Sequence, residues 1–289
     1  MARADLRRPE NVAGPVFVDS SCIDCDTCRW MAPETFARKG RQSAVVHQPM
    51  APDEQARAAR AAVACPTASI ASPGMAQAAR EFPVPVAGEV SHCGYHSPDS
   101  FAATPYFVRL PGGNLLVDSP RFAAPLVKRL EELGGVDWIL LTHRDDVADH
   151  DKFAKHFGAK RVLHQDDAPV PGGPVEVPLA GLDPIEVAPR VTAIPVPGHT
   201  PGHVCYLVEG ADESFLFTGD HLAWDDEANQ LEAWPDVCWY DWGEQTKSMR
   251  RLLDVEFDWV LPGHGRRVRL PRSERRPQLE RLVAWMETH

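Results

Sequence analysis

The sequence predicts two domains, a small cysteine-rich domain followed by a larger α/β domain, and three observations support this division. Four of the seven cysteines lie before residue 72, close to an alanine-rich helical run over 53–64. A segment rich in proline and glycine follows over 72–88. Beyond it, short apolar runs typical of strands alternate with helical patterns. We therefore expect domains at 1–75 and 89–289, with 76–88 as a semi-rigid linker.

Each element of the larger domain rests on a local pattern. Apolar runs predict strands at 114–118, 138–142, 161–164, 191–196, 204–208, 214–218 and 259–261. A helical pattern over 122–133 lies between the first two strands. Leu279, Leu282, Val283 and Met286 follow helical spacing, which predicts an amphipathic helix at the C terminus.

Composition excludes several classes of protein. The 289 residues, 44% of them hydrophobic, are enough to bury a sizeable core. A formal net charge of -11 repels polyphosphates, so we expect no nucleic-acid partner. The sequence contains neither an apolar stretch long enough for a membrane span nor a signal peptide, so we expect a cytoplasmic protein with no membrane partner.

The cysteine spacing predicts an iron–sulfur cluster. Cys22, Cys25 and Cys28 follow C-x2-C-x2-C spacing, which places three thiolates around one face of a cluster, and Cys65, followed by proline, closes the fourth corner. A zinc site and unrelated buried thiols are the alternatives, but zinc normally takes two paired C-x2-C arms. The fourth position of a two-cluster run is Ala32, and no partner run precedes Cys65. One cluster is therefore expected.

Residues 22–36 resemble the single-cluster bacterial ferredoxins. The resemblance includes Ala32, Pro33, Glu34 and Phe36 after the cysteine triplet. It implies a small ferredoxin-like domain with a 4Fe-4S cluster.

Histidines and aspartates follow the predicted strands at four places, 142–150, 197–203, 218–221 and 262–265. Imidazoles and carboxylates that converge from strand ends can hold one or two divalent metal ions. Glycines beside His199, Asp220 and His264 permit the tight turns that such a site needs. The pattern therefore predicts a metal-binding cleft.

Residues 86–289 resemble the metallo-β-lactamase-fold superfamily. Leu116-Val117-Asp118, the Pro-Gly-His-Thr-Pro-Gly-His run at 197–203 and the Thr-Gly-Asp turn at 218–220 are most similar to its thiolesterase branch, glyoxalase II and its relatives. The resemblance implies a four-layer αββα sandwich with the site at one edge. It also implies that His199 and His264 are metal ligands and that Asp220 bridges two metals.

The first metal motif departs from the family pattern H-x-H-x-D-H. His143 is followed by Asp145 where a second histidine is usual, and Asp149 and His150 come two positions late. A looped-out dipeptide would still let Asp149 and His150 reach the second metal. We therefore expect His143, Asp145, Asp149 and His150 to be ligands, with zinc or iron as the metal.

Other polar and aromatic residues surround these motifs. We expect His203 and His221 to orient ligands, and His92, Cys93 and His96 to line the cleft as loop residues. Five aromatic residues follow Asp220, and they either pack beneath a loop or form a lid over the substrate. They are Trp224, Trp234, Trp239, Tyr240 and Trp242.

The sequence favours a hydrolase that acts on a small-molecule substrate. Water activated by the metals would attack an ester, thioester or related carbonyl, and Asp149 would orient that water. An alternative is an iron-dependent oxidoreductase, acting on oxygen or a sulfur substrate, that takes electrons from the cluster and interacts with a redox partner protein. A second alternative is a non-catalytic electron-transfer or redox-sensing protein.

Overall fold

The computed structural model describes residues 2–289, and their cysteine-rich part consists of two short strand pairs and two helices. β1 pairs with β4 and β2 with β3, both antiparallel. The buried face of the helix at Pro52–Ala64 (α2) consists of alanines and Val63, and Ala58 and Ala61 pack in one core with Cys28 and Cys65. The elements are β1 (Phe17–Val18), α1 (Thr27–Met31), β2 (Phe36–Lys39), β3 (Gln42–Val45), α2 (Pro52–Ala64) and β4 (Ile70–Ala71).

A seven-stranded mixed sheet follows, with strand order β11-β10-β9-β8-β7-β6-β5. Strands β8 to β11 run parallel to one another, while β5, β6 and β7 are antiparallel. The elements are α3 (Met75–Ala78), β5 (Val84–Ala87), β6 (Val90–His92), β7 (Tyr106–Leu110), β8 (Gly113–Val117), α4 (Ala124–Glu132), β9 (Trp138–Leu140), α5 (His150–Phe157), β10 (Lys160–His164) and β11 (Val177–Leu179).

The remaining residues form a six-stranded sheet with order β12-β13-β14-β15-β18-β19 and a small hairpin, β16-β17. The elements are β12 (Ile185–Ala188), β13 (Val191–Pro195), β14 (Val204–Glu209), β15 (Ser214–Gly219), β16 (Ala223–Asp225), β17 (Gln230–Glu232), α6 (Trp242–Arg251), β18 (Trp259–Pro262), β19 (Val268–Arg269) and α7 (Arg272–Met286).

The two large sheets pack face to face, and helices cover both outer faces. Leu115 and Val117 of β8 share a core with Phe217 of β15, whereas Leu116 faces the opposite way and packs in the core that includes α4. This alternation follows from the two-residue repeat of a strand. Met249 of α6 packs in a third core with α7 on the far side. The four-layer αββα sandwich predicted from the resemblance is confirmed.

The predicted strands and helices correspond to observed ones. Every strand predicted between residues 114 and 261 overlaps a strand of the structure, and the three predicted helices correspond to α2, α4 and α7. Within residues 2–289, each helix is too short or too polar to cross a membrane.

The segment predicted as a linker, 76–88, is built into the fold. It contains most of α3, and β5 forms the edge of the seven-stranded sheet, paired with β6. A proline-containing strand fits at an edge because proline has no N–H to donate. The segment is therefore part of the fold rather than the semi-rigid linker that the sequence predicted, and the domain boundaries at 75 and 89 stay a prediction.

The cysteine-rich part and the sandwich share a hydrophobic core. Ala59 and Val63 of α2 pack in the same cluster as Phe82 and Tyr95. The guanidinium of Arg121 also donates to the carbonyl oxygens of Val63 and Cys65, at 3.4 and 3.3 Å. These contacts fix the cysteine-rich part against the larger domain.

Candidate metal sites

His143 is held at the end of β9 by a buried hydrogen-bond network. Asp118 accepts hydrogen bonds from the Thr142 backbone N–H at 2.8 Å and from its hydroxyl at 3.0 Å. The Thr142 hydroxyl oxygen lies 3.0 Å from Nδ1 of His143 and can accept a hydrogen bond from its N–H. Within residues 2–289, the buried Nε2 of His143 has no hydrogen-bond partner. That arrangement leaves a lone pair on Nε2 for a metal ion.

His199 and Asp220 reach the same point from the second sheet. Asp220 Oδ2 lies 3.5 Å from Nε2 of His199 and 3.7 Å from Nε2 of His143. Both turns depend on glycine: a Cβ at Gly198 would lie 2.3 Å from the Cα of Gln245, and one at Gly219 would lie 2.6 Å from the Thr142 hydroxyl. Ligand atoms of His143, His199 and Asp220 lie within 4.8 Å of one another, as in a site for one metal ion.

A second group shares Asp220 and includes a residue that the sequence analysis missed. Oδ1 of Asp220 lies 2.7 Å from Nδ1 of His264. One carboxylate oxygen of Asp220 therefore faces the first group and the other faces the second. Asp146 completes this group within 4.8 Å, and its side chain is 1% exposed. In the part of the chain that the structure describes, its Oδ2 has no hydrogen-bond partner. The sequence feature that could have indicated Asp146 is its position directly after Asp145, where it adds a second carboxylate to the motif.

The structure does not bring Asp149 and His150 to these groups. The Asp149 carboxylate accepts hydrogen bonds from the Phe122 N–H at 2.7 Å and from Lys152 Nζ at 2.6 Å. His150 is buried, and its Nε2 lies 2.8 Å from the carbonyl oxygen of Pro171. α5 begins at His150, so the chain enters a helix where the sequence analysis expected a looped-out dipeptide. The expectation that these two residues reach the second metal, with Asp149 orienting water, is not met.

Asp145 lies near His143 but belongs to neither group. Its Oδ2 is 4.0 Å from Nε2 of His143, and its side chain is 47% exposed on the cavity wall. It falls outside both groups, so its assignment as a ligand stays a prediction.

His203 and His221 lie behind the ligands. The His203 ring stacks on His143 with centroids 4.9 Å apart, and its Nε2 accepts the backbone N–H of Asp220 at 3.1 Å. His203 therefore contacts two of the candidate ligands, His143 and Asp220. His221 is fully buried and tilted against His203 at 5.9 Å.

His92, Cys93 and His96 do not line the cleft as the sequence analysis expected. Cys93 is buried in the hydrophobic core below the first sheet. His92 and His96 are buried as a pair, with their Nε2 atoms 2.7 Å apart, beneath the ring of Trp30 from the cysteine-rich part. Only the folded chain brings Trp30 to this pair.

Burial and neighbouring charges set the protonation of the two groups. Burial lowers the pKa of His143 to about 3, so its imidazole is neutral. Burial and the charge of Asp220 raise the pKa of Asp146 well above its ordinary value. Burial opposes a charge on His264, but the Asp220 carboxylate outweighs it and raises the pKa of His264 to about 10. A cation between Asp220 and His264 would therefore displace a proton.

A cavity of about 790 Å³ opens over these residues. Its walls include His199, Asp220 and His264, and also Cys25 from the cysteine-rich part. Of the five aromatic residues that follow Asp220, Trp224, Trp234 and Trp239 line the cavity, whereas Tyr240 is exposed and Trp242 packs against Trp285.

The four predicted cluster cysteines line one small cavity. All four are free thiols, and backbone N–H groups face two of them: that of Asp24 lies 3.5 Å from Cys22 Sγ, and that of Ser69 lies 3.3 Å from Cys65 Sγ. Burial raises the pKa of Cys25 to about 11, and cluster iron would have to displace that proton. The donor set and its N–H bonds fit an iron–sulfur cluster.

Comparison with known protein families agrees with both sites. The family model of the metallo-beta-lactamase superfamily matches residues 98–264, and that of the 4Fe-4S single cluster domain of ferredoxin I matches residues 18–72. These matches confirm the two resemblances seen in the sequence, and they imply an iron–sulfur cluster and divalent metal ions.

Individual relatives match only in part. The hydroxyacylglutathione hydrolase of Cereibacter sphaeroides is 39% identical over 116 residues, 38% of this chain and 44% of the relative. That of Rhizobium meliloti is 30% identical over 158 residues, 53% of this chain and 57% of the relative. The chain thus spans about half the length of these relatives. The solved structure of MIM-2 metallo-beta-lactamase covers 72% of this chain and 91% of its own, with a TM-score of 0.51 and 18% identity, which shows the shared fold.

Proposed function

The chain belongs to the metallo-beta-lactamase superfamily, and from this premise we propose that it is a metal-dependent hydrolase of an ester or thioester. The observation that carries the proposal is the double role of Asp220, whose two oxygens face two separate ligand groups. The partial similarity to hydroxyacylglutathione hydrolases supports the same reaction class.

Buried side-chain nitrogen and oxygen atoms that have no hydrogen-bond partner within residues 2–289 indicate which residues would hold the ions. His143, His199 and Asp220 would bind one ion, and Asp146, Asp220 and His264 would bind a second. Divalent ions at these positions would supply an activated water molecule and polarise the carbonyl oxygen of the substrate.

Asp145 is the residue that we assign to proton transfer. It lies on the cavity wall, outside both ligand groups, and burial raises its pKa. A carboxylate with a raised pKa at the open side of the site can accept a proton from the attacking water. In this proposal Asp145 acts on the attacking water, whereas the sequence predicted that Asp149 would orient it.

The cavity walls favour a neutral or cationic substrate with an apolar part. One wall is aromatic, formed by Phe101, Trp224, Trp234 and Trp239. Arg266 also lines the cavity but is paired with Asp26 and Asp226. The acidic side chains of the cavity give it a negative electrostatic potential, which repels anions. The acidic side chains that line the cavity outside the ligand groups include Asp24, Asp26, Asp99, Asp225, Asp226, Glu227 and Glu232.

The proposal is tested by comparing thioesters that differ in charge. The full chain is loaded with zinc, and kcat/KM is measured for a neutral acyl thioester and for a hydroxyacylglutathione, which carries carboxylates. We expect turnover of the neutral thioester to be faster, to be lost in His199→Ala, and to be kept in Asp149→Asn. Zinc-loaded protein with full metal content and no esterase or thioesterase activity would contradict the hydrolase assignment.

A second candidate function is iron-dependent redox chemistry. Cys25 lines the same cavity as His199 and Asp220, so a cluster bound through Cys25 would border the cavity of the metal groups. Two histidines and one carboxylate, as in His143, His199 and Asp220, are also the ligand set of many iron oxygenases. Metal analysis of anaerobically purified protein separates the two candidates: zinc favours hydrolysis, and iron beyond the four atoms of the cluster favours redox chemistry.

A further inference from the structure

A chain of polar contacts runs from a cluster cysteine into the larger domain. Cys25 Sγ lies 3.5 Å from the hydroxyl oxygen of Thr27, which in turn lies 3.4 Å from Nδ1 of His96. Thr27 and His96 are both buried, at 2% and 0% exposure. The contact therefore crosses between the two parts of the chain without passing through solvent.

The same chain of contacts continues to the metal groups. Nδ1 of His96 lies 2.7 Å from the carbonyl oxygen of Ala102, and the carbonyl oxygen of the preceding Phe101 lies 3.3 Å from Nε2 of His264. His264 then contacts Asp220 through Nδ1 at 2.7 Å. One peptide segment thus links a histidine beside the cluster to a histidine beside the metals.

The backbone of that segment adopts a rare conformation. Phe101 and Ala102 have φ angles of +45° and +73°, which are unusual for residues with a side chain. Such conformations persist only where the surrounding structure enforces them. Here the turn directs two successive carbonyl groups to two different histidines.

Contacts around this path hold the two parts of the chain together. Arg266, two residues after His264, forms an ion pair with Asp26, the residue after Cys25. The guanidinium of Arg267 lies 5.0 Å above the ring of Trp30, which covers His92 and His96. The path is therefore fixed at both of its ends.

We infer that Thr27, His96, the Phe101–Ala102 segment and His264 form an electron path from the cluster to a redox-active metal held by Asp220. This inference rests on the second candidate function, iron in the larger domain. In the step, the reduced cluster loses one electron and a ferric ion gains it to become ferrous, with no bond broken and no proton moved. An external one-electron donor then reduces the cluster again.

Two matched variants test the path. Thr27→Val removes the hydroxyl between Cys25 and His96 while keeping the side-chain shape. Thr67→Val removes a hydroxyl that lies 3.7 Å from Cys65 Sγ, and it serves as the control for effects on the cluster itself. Thr27→Ser keeps the hydroxyl and shows whether the effect belongs to that group.

The experiment uses the full chain with a reconstituted cluster and ferric iron in the larger domain, kept anaerobic. A photoreductant delivers one electron per chain, and rapid-freeze EPR follows the reduced-cluster and ferric signals. The cluster potential of each variant is measured so that rates are compared at equal driving force. In wild type, Thr67→Val and Thr27→Ser, we expect the reduced-cluster and ferric signals to decay rapidly and together. In Thr27→Val, we expect this rapid joint decay to be absent.

Equal rates in Thr27→Val and Thr67→Val would overturn the path while leaving iron in the site. A protein that binds no ferric iron in the larger domain would overturn the second candidate function, and the path with it. The EPR spectrum before the flash separates these two failures.

Discussion

Asp146 should be a metal ligand whose burial costs stability, and one substitution tests both properties. The carboxylate is 1% exposed, and its group includes a second carboxylate, Asp220, within 4.8 Å. If both carboxylates were ionised, they would repel by about 3 kcal/mol at that distance and an effective dielectric of about 20. The folded protein bears this cost either as repulsion or as uptake of a proton by Asp146, whose pKa is raised by burial and by Asp220. Protonated His264 offsets part of this repulsion, so we expect Asp146→Asn to raise the free energy of unfolding of protein without catalytic metals by about 1–3 kcal/mol.

The same substitution should weaken metal binding. An amide is a poorer ligand than a carboxylate, and even the loss of a group that only supports a ligand lowers metal affinity by about 10–100-fold. Asp146→Asn should therefore lose the second metal equivalent and keep the one at His143 and His199. Asp149→Asn is the matched control, because the structure places that carboxylate against Phe122 and Lys152.

Three measurements decide the outcome: anaerobic thermal unfolding without catalytic metals, metal content after equilibrium dialysis, and competition with a chelator. A stabilisation of 1 kcal/mol raises the Tm by about 2–4 °C in a domain of this size. If Asp149→Asn loses metal and Asp146→Asn keeps it, the looped-out dipeptide expected from the sequence is correct and our ligand set is wrong.

Three other predictions concern the cluster, an ion pair and the cavity rim. Cys65→Ser should lose most of the visible absorption of the reconstituted protein, whereas Cys93→Ser should keep it, because Cys93 lies in the hydrophobic core. Hydrogen bonding to Arg161 lowers the pKa of Glu176 to about 2, so this pair stabilises the fold above the ordinary pKa and loses its effect as pH falls toward 2. Urea unfolding should thus show a deficit of Glu176→Gln near neutral pH that shrinks with acid, and a deficit independent of pH would contradict the assignment. Trp239→Ala should raise KM for apolar thioesters more than it lowers kcat, because the exposed Trp239 ring lies 6.3 Å from that of His199 at the rim; an unchanged KM would exclude substrate contact.

The sequence by itself determined the features that depend on local spacing. Three cysteines at intervals of three residues can converge only on a compact centre, and the glycine turns before His199 and Asp220 are set by neighbouring residues. The short apolar runs likewise predicted where the strands lie. These features need no knowledge of distant contacts.

Tertiary structure alone decided which carboxylate after His143 joins a candidate metal-binding group. The chain could form a loop or start α5 at His150, and the buried packing of Val147 and Phe153 accompanies the helix. That choice turns Asp146 inward and commits Asp149 to the N–H of Phe122. A side chain's direction at a helix start depends on what the helix packs against, so local sequence does not specify it.

The position of Cys25 in the same cavity as His199, Asp220 and His264 is also a tertiary result. It depends on contacts between residues far apart in sequence, such as Asp26 with Arg266 and Thr27 with His96. No spacing rule relates such pairs, because their proximity follows from how α2 and the first sheet share one core. The sequence predicted the two sites separately, and only their packing shows that Cys25 and His264 line one cavity.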